Sequence, residues 1–191
     1  MPSADNILRV LDLASPVEVE EGLAWYQTAH TFAVGLSRRY LVSIRSAANV
    51  IALSSVQVTW ERNQMIADTY LRTRSAEGLG FRSLQGRLDL AVAGVPLAEI
   101  CRTDAPKMKA FAECIANPLT DTAVTIDRHA VDVADGVRYT TTTRPKVDRF
   151  KTYNVYADAY REAATHTPYT AVQLQAVTWV VQRRLFQWKR G

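Results

Sequence analysis

Between Glu18 and Tyr40 the apolar residues Leu23, Trp25, Tyr26, Ala29, Phe32, Ala33 and Leu36 return every three to four positions. That interval matches the α-helix and conflicts with the two-residue alternation of a strand, so this stretch commits the chain to helix-on-helix packing. The same spacing recurs downstream. SIRSAANVIALSSV, with Ser43 as the expected N-cap, is apolar enough around 47–53 for a central core helix. TWERNQMIADTYLRT carries a stripe of Met65, Ile66, Tyr70 and Leu71 behind a Thr59 cap. Glu77 to Leu88 is rich in glycine and polar residues and is expected to be a loop. DLAVAGVPLAEICR is expected to form two short helices broken at Gly94 to Pro96. Pro106 suits the first turn of a helix over 107–116 that stops before Pro118. TDTAVTIDRHAVDVA is expected to resume a short helix, and TTTTRPKV, β-branched and broken by proline, an extended loop. Segments 148–165 and 168–189 complete an all-α domain of about eight to ten helices, with weak strand signals throughout.

At 191 residues the chain reads most simply as one domain. No apolar run approaches the roughly 18 residues of a membrane span, and MPSADNILRVLDLASP lacks a basic, then apolar, leader. The expectation is a cytoplasmic monomer. The two cysteines, Cys101 and Cys114, are too few for a disulfide scaffold or an iron–sulfur cluster. The net charge of +4 permits a polyanionic partner without demanding one. Basic residues gather in 140–151 and 182–191, whereas VEVEE is acidic, so the chain is able to present one basic face; solvated surface charge is the plainer explanation.

No cofactor is expected. The three histidines and two cysteines match no metal-ligand spacing, phosphate-binding glycine loops are absent, and so is the G-x-S-x-G elbow. What remains is a lysine and a carboxylate flanking one short helix, Lys107 in APKMKAF and Asp127 in VTIDRH.

The stretch APKMKAFAECIANPLTDTAVTIDRHAVDVA resembles the helix-hairpin-helix DNA glycosylases, the endonuclease III-like superfamily. In that family a hairpin L-P-G-V-G-x-K-T-A is followed some eighteen to twenty residues later by V-D-T-H-V. Lys107 falls at the hairpin lysine, Asp127 at the catalytic aspartate and His129 at the following histidine, with Lys109 the alternative lysine. NVIALSSVQVTWERNQMIADTY resembles the family's L-L-S-x-Q helix and its successor, so the likeness spans about 40–137, with the terminal helices expected to pack as a second lobe. The segments WYQTAHTFA, VIALSSVQVTWERN, APKMKAF, VTIDRHAVDVA and TPYTAVQLQAVTWVVQRR are also similar to small proteins of actinobacterial phages. Relatives of those have been proposed to hypermodify thymine through an activated 5-hydroxymethyluracil that accepts an amine or amino acid. One departure stands out. The hairpin reads TDAPK, with Asp104 and Ala105 where the family uses glycines whose backbone N–H groups reach a phosphate.

The resemblance implies an enzyme that flips a base out of double-stranded DNA and holds it in a pocket, in the host cytoplasm if phage-encoded. In base excision Asp127 stabilises the cation forming on the sugar or activates the nucleophile. A buried Lys107 of lowered pKa attacks the anomeric carbon. In a transferase Asp127 orients or deprotonates the incoming amine while Lys107 holds phosphate. Gln57, Trp60, Asn63 and His129 are the expected base-pocket residues, and Lys109, Arg128, Arg144 and Lys146 the expected DNA contacts. Each has a plainer role. Asp127 suits an N-cap, His129 a structural hydrogen bond and Trp60 core packing, as do Leu174, Val177, Trp179 and Val180. Arg183, Arg184, Lys189 and Arg190 touch phosphate only if their helix end faces DNA. A non-catalytic DNA-binding protein of the same fold, and a phage structural or host-interaction protein, are the alternatives. Salt dependence of DNA binding separates the last from the others.

Overall fold

Serine, threonine and aspartate caps set where five of the helices begin. The computed structural model describes residues 1–80, 82–101 and 105–187, with the backbone alone for 82, 186 and 187. Among them are ten α-helices, one 3-10 turn and no strand. In order they are α1 (Ala4–Leu11), α2 (Pro16–Tyr40), α3 (Ile44–Leu53), α4 (Trp60–Thr73), α5 (Gln85–Val92), α6 (Leu97–Ile100), α7 (Pro106–Ala116), α8 (Arg128–Asp135), α9 (Phe150–Ala164) and α10 (Ala171–Gln187), with the 3-10 turn Arg82–Leu84 before α5. The all-helical expectation and the helix count both hold. Ser43 and Thr59 cap α3 and α4 as expected. Ser15 opens α2 with a reciprocal capping box to Glu18 and Pro16 in the first turn, satisfying N–H groups that a 25-residue helix would leave bare.

Three stretches depart from the sequence reading. Residues 4–11, read only for the lack of a leader, form α1. Its Ile7 is fully buried, and Asn6 donates its side-chain amide to the Ala134 carbonyl at 2.9 Å. The expected loop 77–88 is helical from Gln85, because Gln85 accepts the Ala76 N–H at 2.6 Å and donates to the Arg74 carbonyl at 3.0 Å while Leu88 turns inward. The helix expected to resume at Thr120 starts only at Arg128. Val124, Thr125 and Ile126 run extended, and Tyr153 of α9 serves their backbone, accepting the Ile126 N–H at 2.8 Å and donating to the Val124 carbonyl at 2.7 Å. β-branched residues lose side-chain freedom in a helix, and a buried phenol here supplies the hydrogen bonds that a helix would have supplied.

The core has two clusters. One gathers α2, α3, α4, α5, α6 and α7 around Ile51, Leu53, Tyr70 and Ile115. The other gathers α1, α8 and α9 around Ile126, Val131, Tyr153 and Tyr160. α10 belongs to both, with Val172 and Ala176 on the first and Ala171 and Leu174 on the second. It packs along α2 closely enough that a Cβ on Gly22 would stand 2.4 Å from the Val177 Cα. The division between clusters does not follow residues 40–137, since α8 sides with α1 and α9, and α2 sides with α3.

Candidate functional site

Asp127 is where the extended segment 124–126 meets α8. Its Oδ1 accepts the backbone N–H groups of His129 and Ala130, each at 2.9 Å, which makes it the N-cap of α8. Its Oδ2 accepts the indole N–H of Trp179 from α10 at 3.2 Å. A carboxylate has about four acceptor positions, so three are taken and one on Oδ2 stays open beside the indole.

Trp179 leads into an aromatic group drawn from four helices. Its ring centroid lies 5.7 Å from Trp25 of α2, which lies 5.4 Å from Trp60 of α4 and 6.0 Å from Phe111 of α7. Phe32 adds an edge-on contact to Trp60 at 6.0 Å. All five rings are half-buried, so the group runs from the core to the surface. The Arg183 guanidinium, one turn beyond Trp179, stacks on its ring at 4.6 Å. Arg183 also helps hold the Glu61 carboxyl below its ordinary range, after the hydrogen bonds from the Glu61 backbone and Thr59 that contribute more. The neighbouring Arg184 points elsewhere, to Glu18 and to the Leu13 carbonyl.

On its other side Asp127 adjoins a charged set on α8. Buried His129 is held below its ordinary value first by burial, with Arg128 and Arg144 pushing the same way and Asp127 and Asp132 opposing. Arg128 is exposed and donates to His129 Nε2 at 3.3 Å. Arg144 makes a two-pronged pair with buried Asp132, at 2.9 and 3.0 Å, and donates to the Tyr139 carbonyl at 3.0 Å. Its fork is occupied within the fold.

The model of the Family of unknown function (DUF7178) matches residues 2–186, from α1 through nearly all of α10. The chain belongs to that family. No curated protein and no solved structure matches.

In this DUF7178 member the expected site residues separate into three places. Asp127, His129 and Arg128 adjoin one another, and Trp60 joins them through Trp25 and Trp179. Asn63 is buried beneath the α3–α4 turn, donating to the Ile51 carbonyl at 3.1 Å and to Ser54 Oγ at 2.9 Å, while its own Oδ1 has no partner. Gln57 is exposed in that turn with a positive φ of 58°. Lys107 is exposed, so the burial that a nucleophilic lysine requires is missing. Lys109 extends to the Phe150 ring at 5.0 Å, and Lys146 is exposed. Asp104, Lys189 and Arg190 lie outside the described residues. Among the described residues no group of three His, Cys, Asp or Glu side chains is placed to hold a metal, and burial pushes the Cys114 thiol up to about 12. A cavity of about 620 Å³ between α2, Pro118 and Leu119 and the start of α10 contains none of the expected site residues.

Sequence reasoning did not assign the aromatic group. Trp25 was one member of a helical stripe and Trp179 a core residue. The available signal was the four-residue interval from Trp179 to Arg183, which stacks a cation on an indole along one helix face.

Proposed function

We propose that the protein binds double-stranded DNA and takes a flipped-out base at the Trp25, Trp60 and Trp179 group, where Asp127 is a fixed negative charge beside it. The observation that carries this reading is the Asp127 carboxylate, which is oriented by three N–H donors, keeps one acceptor position open and stands against a half-buried indole. A base has a flat π-face that stacks on indoles and an edge with N–H donors, which is what such a place accepts. A carboxylate fixed beside a stacked base is placed to stabilise a cation forming on the sugar, which is the role that excision asks of it. Lys107, exposed, has the role of a phosphate contact.

A second reading has an observation of its own. Asp127 ties α8 to α10 through its cap and the Trp179 bond, and that lock has a structural use without any chemistry. On this reading the protein binds DNA and catalyses nothing.

The test is to incubate the protein with duplexes carrying uracil, 5-hydroxymethyluracil or its phosphorylated form, with and without amino acids and polyamines, and to weigh the digested nucleosides. Free base or an abasic site supports excision, and Asp127→Asn then abolishes it while DNA binding persists. A heavier thymidine derivative identifies the transferase form. Tight binding with unchanged nucleosides identifies the non-catalytic one, and absence of DNA binding sinks all three.

A further inference from the structure

Two basic segments far apart in sequence share one surface. Lys107 and Lys109 occupy the first turn of α7, while Lys146, Arg149 and Lys151 surround the start of α9. The Lys109 ammonium over the Phe150 ring, at 5.0 Å, joins the two. Phe150 itself is 44% exposed, an unusual setting for a phenylalanine at the centre of a charged patch. Within 107–109 and 146–151 five cations stand against the single carboxylate of Asp148, a surplus of four that equals the net charge of the entire chain.

Five arginines elsewhere are held by carboxylates of the fold. Arg39, Arg45, Arg144, Arg161 and Arg184 each have a carboxylate partner. Lys146, Arg149 and Lys151 are exposed, and their side chains make no hydrogen bond or ion pair with any described residue. The patch also borders the candidate site. Phe150 stands one turn before Tyr153, whose hydroxyl holds Val124 and Ile126, the residues leading into Asp127.

We propose that this surface, with Lys146, Arg149 and Lys151 as its cations on α9 and Phe150 at its centre, binds the phosphodiester backbone of the nucleic acid whose base enters beside Asp127. The assignment rests on the DNA-binding reading above and adds to it the residues that meet phosphate. Charge complementarity selects the occupant. Exposed cations spread over two helix starts match a row of phosphates, and each phosphate neutralised on a duplex adds about 0.9 to the salt slope of binding. The exposed ring offers a sugar or an unstacked base an apolar contact.

The experiment measures the affinity of the full chain for a fully paired duplex over a range of salt, alongside a duplex carrying 2-aminopurine at a mismatch that reports base extrusion. Arg149→Ala/Lys151→Ala is the principal variant, since neither side chain caps a helix or pairs with a carboxylate, and its melting curve serves as the folding control. Lys146→Ala is the second variant. The expected result is that the logarithmic salt slope becomes shallower by about 1.8 for the double variant and by about 0.9 for the single one. An unchanged slope with a surviving 2-aminopurine signal overturns the patch and leaves the base site standing. A reduced slope without any 2-aminopurine signal keeps the patch and removes the base site. No duplex binding at low salt overturns both, as does salt-dependent capture by phosphatidylserine vesicles with none by DNA.

Discussion

Asp127 has two separable duties, and substitution distinguishes them. Asparagine keeps an oxygen for the His129 and Ala130 N–H groups but turns an amide N–H₂ towards the Trp179 indole donor. Asp127→Asn is expected to cost about 1 kcal/mol, and Asp127→Ala, which strands all three donors, about 2–4 kcal/mol, both read from urea unfolding. Equal losses for the two would mean that the cap contributes nothing. Next to it, His129 links stability to pH. Burial first, then the nearby arginines, hold it below its ordinary 6.5, so the folded chain binds this proton more weakly than the unfolded chain does. Above 6.5 neither state carries the proton; as pH falls through 6.5 the unfolded chain takes it up first, and stability declines until the folded imidazole titrates. His129→Gln is expected to flatten the fall in urea midpoint between about pH 7 and 5. The Glu18 carboxyl, lowered chiefly by its hydrogen bond from Arg184, shifts in the same direction, but its contribution is lost only as pH falls below its ordinary 4.5, so the two windows are distinct.

The helices themselves were largely legible, because caps and apolar spacing are local. Ser43, Thr59 and Pro106 each stand where the structure starts a helix. What local signals missed was supplied from a distance. Tyr153 keeps 124–126 extended, and Gln85 stabilises an early start to α5 with contacts to residues 74 and 76. α2 shows the same divide in its glycines, which look equivalent in sequence. Gly22 faces the α10 backbone, and a Cβ there would meet Val177 Cα at 2.4 Å, whereas one on Gly35 would meet nothing within 4 Å. Gly22→Ala is therefore expected to destabilise by about 1–3 kcal/mol or more, since helix backbones have to move apart. Gly35→Ala is expected to stabilise by about 0.5–1 kcal/mol by removing a helix-interior glycine. Thermal melts of the pair, made side by side, check both signs.

Across the whole molecule α10 prevents the two core clusters from acting separately, for its residues line both. The indoles Trp25 and Trp60 report on the first cluster, whereas the buried tyrosines are shared, Tyr26 and Tyr70 in the first and Tyr153, Tyr156 and Tyr160 in the second. Tryptophan emission and tyrosine absorbance are expected to lose their folded signals at one temperature, and Leu174→Ala, at about 2–5 kcal/mol, to shift both together. A tyrosine transition that precedes the other would show that the clusters unfold independently. The candidate site was legible only in part at this scale. The basic run 140–151 was evident, but composition cannot tell that Arg144 faces Asp132 or that Lys109 adds itself to the run across Phe150. Nor does spacing bring α2, α4, α7 and α10 together at one set of rings. That set has an optical consequence. Trp25 lies within 6 Å of both Trp60 and Trp179, close enough to exchange excitation along the chain of rings, so quenching one of them dims the others. Whatever settles on these rings announces its arrival in the protein's own ultraviolet emission, without a dye or a tag.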